Sequence, residues 1–256
     1  SKLDLDINLK YPYKLCDFKP AYGHIFEDYI SESEFWGYGD MDLVYGDIEK
    51  FLSHGVLQNY DIFSNHPDFI TGHFCVLRNN PLIKTLYQNG GAYRIAFQER
   101  KYSGFDEQRR KVGINPDPKS GQLLKRLDLA WHILINSLIK PFRGLRTGSI
   151  FPRIKSINNA QLSDFTSIVN NAESSGQLRV RNLKTFQSDL MLRKKGIYNW
   201  SIKWNMGSLS NEKDGEQLQY FHFIISKSRK NFRIRPVLPD IKHFTVSESG
   251  INPITR

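Results

Sequence analysis

Apolar positions along the chain fall into short runs whose spacing changes several times. Leu3, Leu5, Ile7 and Leu9 alternate with polar residues, the period of a strand with one covered face. Over 20–29 the spacing lengthens, and Tyr22, Ile25, Phe26 and Tyr29 fit one side of a helix. Residues 35–38 then predict a short aromatic strand, a carboxylate-rich turn follows, and 47–52 predict a short helix with Asp47 near its N-terminus. Segments 60–63 and 69–77 are strand-like, the second rich in aromatic and β-branched side chains.

The polar stretch 99–121 predicts a long loop, and loops of that length inside a compact domain are often functional. The strongest helical pattern covers 123–139, where Leu123, Leu127, Ala130, Trp131, Leu134 and Leu138 share a face. A further helix is expected within 160–172. From Gly196 the pattern turns to strands, with YNWSIKWNMGSLS, the turn NEKDG and EQLQYFHFIIS predicting an antiparallel hairpin. Alternating strands and short helices point to an α/β fold with a mixed sheet flanked by helices and a C-terminal antiparallel hairpin. The expected organisation is one domain in three parts: 1–115 as its core, 116–195 as a helical, basic insertion, and 196–256 as hairpin and basic tail.

Composition narrows this picture. At 256 residues and 39% hydrophobic, the chain can bury a substantial core. Two cysteines, Cys16 and Cys75, form no disulfide framework and point to a reducing compartment. No apolar run approaches the ~18 residues that cross a bilayer, and the first residues do not resemble a signal peptide. The expected location is cytoplasmic, or peripheral on the inner face of the cell membrane. The formal charge of +10 hides an asymmetry: 1–65 hold 12 acidic and 5 basic residues, and 66–256 hold 14 and 31. Such an excess selects for an anionic partner, which could be nucleic acid, phospholipid or a sugar nucleotide.

The sharpest chemical signal is FWGYGDMDLVYGDI, in which Asp40 and Asp42 flank Met41. In an extended segment, residues two apart point to the same side, so both carboxylates can converge on Mg²⁺ or Mn²⁺. Alone, the triplet fits a solvated turn equally well. Its context is an aromatic strand running into it and apolar residues following it, which puts it at the carboxyl edge of a sheet, where α/β proteins bind ligands. Far along the chain, YFHF sets His222 on one strand face and aromatic residues on the other. His222 is either a packed histidine or a nitrogen ligand completing the ion site. Lys227 and Arg229 follow, near enough to meet phosphate or simply to form a solvated cationic end.

Five separated blocks carry a resemblance: KLCDFKPAYGHIFEDYI, FWGYGDMDLVYGDIEKFL, ITGHFCVLRNNPLIKTLY, FDEQ, and a late WxxGxL with QYFHF. In this order they resemble a family of bacterial polysaccharide-biosynthesis glycosyltransferases similar to the GT-A enzymes that use sugar nucleotides. The resemblance implies that Asp40 and Asp42 bind a divalent metal bridging the donor diphosphate, that His222 completes its coordination, and that Lys227 contacts phosphate. It implies that Lys19, with Asp17 beside it, faces the donor sugar, that Gly72 and His73 line the sugar pocket, and that Asp106 and Glu107 lie beneath the transferred sugar. The implied partners are a nucleotide-sugar donor and a glycan or polyprenyl-linked acceptor, with Mn²⁺ or Mg²⁺ as cofactor. Enzymes of that fold carry a nucleotide-binding β-α-β unit before the D-x-D strand, whereas only 39 residues precede Asp40. That unit is therefore expected to be missing from this chain.

The chemistry suits this set. Departure of a nucleoside diphosphate builds negative charge on the leaving oxygens and positive charge on the anomeric carbon, which cations and carboxylates respectively stabilise. Asp106 or Glu107 would deprotonate the acceptor hydroxyl or stabilise the oxocarbenium face. Two other functions compete. A nucleic-acid-binding module would use the basic remainder with Phe142, Phe151 and Phe232 interleaved, although no RNA or DNA motif is present and no nucleic acid is expected. A metal-dependent phosphodiesterase would need more carboxylate and histidine ligands. The basic stretches 140–155 and 227–243 are either solvated surface or a contact with anionic lipid.

Overall fold

A computed structural model describes residues 2–107, 163–234 and 241–254. The helix expected over 123–139 and the basic stretch 140–155 lie outside the described residues. Strands are numbered along the chain. One sheet takes the order β1-β4-β3-β5, with β1 Phe35–Gly39, β3 Ile62–Ser64, β4 Phe74–Arg78 and β5 Val180–Asn182. A second, three-stranded sheet is β2-β10-β6, with β2 Leu43–Tyr45, β6 Phe186–Ser188 and β10 Tyr220–His222. The third is the six-stranded β11-β13-β12-β7-β8-β9. Its strands are β7 Ser201–Asn205, β8 Ser208–Asn211, β9 Gln217–Leu218, β11 Arg233–Ile234, β12 His243–Ser247 and β13 Gly250–Pro253.

Among the described residues the fold is mixed α/β, with several mixed sheets and few helices. Most ladders are antiparallel, and the parallel pairs are β3 with β5, β6 with β10 and β11 with β13. Two apolar cores follow from the alternation of buried positions. Trp36, Tyr38, Ile62, Leu77, Phe97, Phe105, Phe165 and Val169 belong to the first, and Val44, Trp200, Ile202, Leu209, Phe221, Phe223 and Val246 to the second. The described part of 116–195 does not form a unit of its own. The helix Phe165–Ser174 packs in the first core and β5 joins the first sheet, while β6 pairs with β10 and Leu192 enters the second core.

Several local expectations change. Residues 2–9 form turns and irregular chain instead of a strand. Their Leu3 and Leu5 pack on the first core, and Asn8 N–H donates to the carbonyl of Phe97 at 3.1 Å. Alternation supplies a covered face, but residues 2–9 join none of the described strand ladders, so no strand results. The helix expected over 20–29 is a 3₁₀ helix Pro12–Ala21, one α-turn Tyr22–Ile25 and a second 3₁₀ turn Glu27–Tyr29. Pro12 opens the first and Pro20 lies inside it, where the missing N–H prevents a regular α-helix. Segment 69–77 becomes strand only at Phe74, because Thr71 curls back, its N–H donating to Ser64 Oγ at 2.9 Å.

The C-terminal hairpin is real but shorter than expected. Met206 and Gly207 both adopt positive φ, 47° and 89°, the geometry of a two-residue turn matching the strand twist, and they join β7 to β8. NEKDG then joins β8 to β9. After Gln219 the chain leaves this sheet, and β10 inserts between β2 and β6. That departure carries His222 away from the hairpin and opposite Leu43.

Candidate metal centre

Asp40 follows β1 directly and Asp42 precedes β2, so the D-x-D triplet is the turn between the first two sheets rather than an extended segment. The two carboxylates converge because the chain turns at Met41, which is fully exposed. Asp40 is anchored by its N–H, which donates to the carbonyl of His73 at 3.0 Å. His222, buried on β10, faces Asp42, with Nε2 to Oδ2 at 3.1 Å. One ligand atom each from Asp40, Asp42 and His222 lies within 4.8 Å of the other two. In an octahedron with bonds of about 2.1 Å, ligand atoms lie about 3 Å apart when cis and about 4.2 Å when trans. Small side-chain rotations would therefore close the set. Two carboxylates and an imidazole fit Mn²⁺ or Mg²⁺, and the Nδ1 atom of His222 is buried without a hydrogen-bond partner.

Two lysines flank the trio. Lys19, 6% exposed, bonds Asp40 Oδ1 and also donates to the carbonyl of Gly72 at 2.8 Å. Burial disfavours its charge, yet the hydrogen bond and charge of Asp40 overcome it and hold the ammonium above its ordinary pKa. Lys227 reaches in from a 3₁₀ turn, Ser226–Ser228, to bond Asp42 Oδ2. Its side chain is about half exposed, whereas that of Lys19 is buried. Burial raises the pKa of the Asp42 carboxyl, but hydrogen bonds from His222 and Lys227 outweigh this and keep it well below the usual carboxylate range.

The segment 71–73 meets the loop 101–107 beside these groups. Gly72 N–H donates to Glu107 Oε1 at 2.8 Å, and His73 Nδ1 lies 4.0 Å from the same oxygen. A side chain at 72 would collide with Asp106 Oδ2 and come within 2.8 Å of Glu107 Cγ, so glycine is needed for this approach. Tyr102 O–H donates to Asp106 Oδ1 at 2.8 Å. Asp106 is 2% exposed, and burial followed by the charge of Glu107 pushes its pKa up to about 8, against the opposing pull of Lys19 and Tyr102. The ring of His73 packs 4.9 Å from that of His222, and burial lowers its pKa to about 3. It is therefore a neutral imidazole, with Nε2 buried and unpartnered.

Lys19, Asp40, Asp42, Gly72, His73, Asp106, Glu107, His222 and Lys227 thus form one linked constellation. Asp17 does not join it. That carboxylate is fully buried and accepts from Lys14 Nζ at 2.8 Å, Ser103 N–H at 2.9 Å, Ser103 Oγ at 3.1 Å and Phe105 N–H at 2.9 Å. With all of these donors around it, Asp17 faces the loop carrying Asp106 rather than a ligand. Arg229 is likewise committed, its guanidinium paired with Glu248 at 2.8 and 3.2 Å. Tyr102 was not anticipated, although its place four residues before Asp106 in a polar loop is a usable signal. Tyr13 packs edge-on against it at 4.9 Å.

Residues 1–123 match the model of a family of unknown function, DUF6625. The matched part contains every residue of the constellation except His222 and Lys227. No curated protein and no solved structure matches the chain.

Proposed function

We propose that this chain is a metal-dependent glycosyltransferase of GT-A type, moving a sugar from a nucleotide-sugar donor to a glycan or lipid-linked acceptor. The observation that carries the reading is the convergence of Asp40, Asp42 and His222 within 4.8 Å with lysines on either side and a carboxylate pair adjoining. Asp40, Asp42 and His222 would hold a divalent cation, which would supply Lewis acidity for a leaving diphosphate.

The chain's own groups divide the remaining work. Lys227, half-exposed beside Asp42, neutralises phosphate oxygens as negative charge builds there. Lys19 is tied to both Asp40 and the Gly72 carbonyl, and so fixes the sugar-pocket segment against the ion site. Burial separates the two loop carboxyls. Asp106, 2% exposed and with its pKa pushed up by burial, is out of reach of an acceptor hydroxyl. Glu107 has a side chain 36% exposed and is the carboxylate that substrate can reach. Glu107 takes the proton of the acceptor hydroxyl as that oxygen bonds the anomeric carbon and the nucleoside diphosphate departs. Asp106 and Tyr102 hold the loop that presents it.

The test is a thermal-shift panel of nucleoside diphosphates and sugar nucleotides with Mn²⁺, since a ligand that binds the folded state raises the transition temperature. A Mn²⁺-dependent shift is expected with diphosphates and their sugar esters, and Asp40→Ala and Asp42→Ala are expected to abolish both the shift and sugar transfer. Transfer or sugar-nucleotide hydrolysis surviving in those variants would overturn the reading.

A further inference from the structure

Asp189 begins a short helix, Asp189–Lys194, immediately after Ser188, the β6 residue paired with His222. It is 3% exposed, and among the described residues no lysine or arginine forms a salt bridge with it. Its carboxylate instead accepts three successive backbone N–H groups from the segment after β10. Oδ1 receives Ile224 at 2.9 Å and Ile225 at 3.2 Å, and Oδ2 receives Ile225 at 3.0 Å and Ser226 at 2.6 Å. The next residue is Lys227. On its far side, the Arg229–Glu248 pair fixes the chain again.

Consecutive N–H groups curled in this way are a concavity that binds anions. Here the protein fills it with its own carboxylate, so these three N–H groups are taken and the Lys227 side chain is the adjoining cationic group. Holding both ends of the turn also removes backbone freedom that would otherwise be lost on binding. We propose that Asp189 is a positioning residue that aims Lys227 at the ligand anion beside Asp42 and thereby confers preference for a diphosphate over a monophosphate. This rests on the reading of the site as a metal and diphosphate centre.

The experiment compares the full chain with Asp189→Asn, Lys227→Ala and the double variant. Mn²⁺ alone is titrated by electron paramagnetic resonance, and UDP and UMP are then titrated in the presence of Mn²⁺. A charge-assisted hydrogen bond contributes about 1.5–3 kcal/mol, so each single variant is expected to lose about tenfold or more in UDP affinity. In Asp189→Asn, UMP affinity and Mn²⁺ affinity should stay within about twofold, since Asp189 bonds the backbone of Ile224–Ser226 and none of Asp40, Asp42 and His222. The double variant should bind UDP no more weakly than Lys227→Ala, because both changes remove the same contact. Additive losses, or an Asp189→Asn protein that binds UDP like the parent, would overturn the proposal. If Asp189→Asn does not fold, Asp189→Glu replaces it, retaining the charge while shifting the turn, and the same loss of UDP-over-UMP preference is expected.

A ligand-free measurement separates this proposal from the reading beneath it. The resonance of ¹³C-methylated Lys227 is expected to move in the same direction in Asp42→Asn and Asp189→Asn. An unmoved resonance in Asp189→Asn removes the positioning role whatever the ligand. Absence of Mn²⁺ and UDP binding in the parent protein, with the resonance moving as expected, removes the glycosyltransferase reading and the diphosphate preference that rests on it, and leaves the placement of Lys227 by Asp189.

Discussion

Asp106 and Glu107 are neighbours in the chain with opposite environments, and the difference has a measurable consequence. Folded Asp106 keeps its proton to about pH 8, against an ordinary value of 3.8, chiefly because it is buried and next because Glu107 is charged. The folded state therefore holds more protons than the unfolded state between these values, and this group's contribution to stability falls as pH rises through that window. His73 acts in the opposite sense, from its ordinary 6.5 down to about 3, so the two oppose one another at acid pH. Asp42, held low, contributes stability that is lost only as pH falls below its ordinary 3.8. Between 6.5 and 8, Asp106 is the group among these three that titrates. Asp106→Asn is expected to flatten the fall in stability across that interval, by up to about 2 kcal/mol. Urea midpoints measured from pH 6 to 9 check this, and an unchanged slope would mean that the carboxyl ionises normally. Of these residues, the sequence alone marks FDEQ as acidic, but no pattern in it says which acid lies under Gly72 and which faces solvent.

At the scale of elements, the 3₁₀ helix Pro12–Ala21 supports the loop across from it. Lys14 is fully buried, and its ammonium donates to Asp17, to the carbonyl of Lys101 at 2.8 Å and to the carbonyl of Ala96. Asp17 in turn holds Ser103 and Phe105. Removing the cation alone strands a buried carboxylate, so Lys14→Met is expected to cost about 3–5 kcal/mol. A loss under about 1 kcal/mol by urea denaturation, the range of an exposed pair, would show that Asp17 is rehydrated or neutralised. The helical spacing over 20–29 concealed this device, because Lys14 and Asp17 precede the apolar pattern and nothing local distinguishes a buried ion pair from a solvated one. The aromatic strand β1, the cap at Asp47 and the helix Phe165–Ser174 were legible for the converse reason. Their signals are local: alternation, an Asp accepting the N–H of Lys50 at 3.2 Å, and a one-sided apolar face.

At the scale of the whole molecule, the acidic and basic portions of the chain both contribute to the ion site. Asp40 and Asp42 come from the acidic first segment, and His222 and Lys227 come from the basic remainder through β10, the central strand between β2 and β6. That crossover could not be read from sequence, since QLQYFHF continues the hairpin pattern while Gln219 is where the chain changes sheets. Tyr220 marks the seam. It is fully buried and opposes Tyr45 on β2 and Phe186 on β6, with rings of Phe186 at 5.1 Å, Phe74 at 4.9 Å and His73 at 5.7 Å around it. Phe74 lies on β4 of the first sheet, so this one side chain joins the middle sheet to the first. Truncating it leaves a large cavity, and Tyr220→Ala is expected to cost about 3–5 kcal/mol. Because His222 lies two residues along the same strand, on the same face, Mn²⁺ affinity should fall together with stability. Calorimetry and Mn²⁺ titration on one preparation decide the matter: lost stability with unchanged Mn²⁺ affinity would show that the ion site does not depend on this seam.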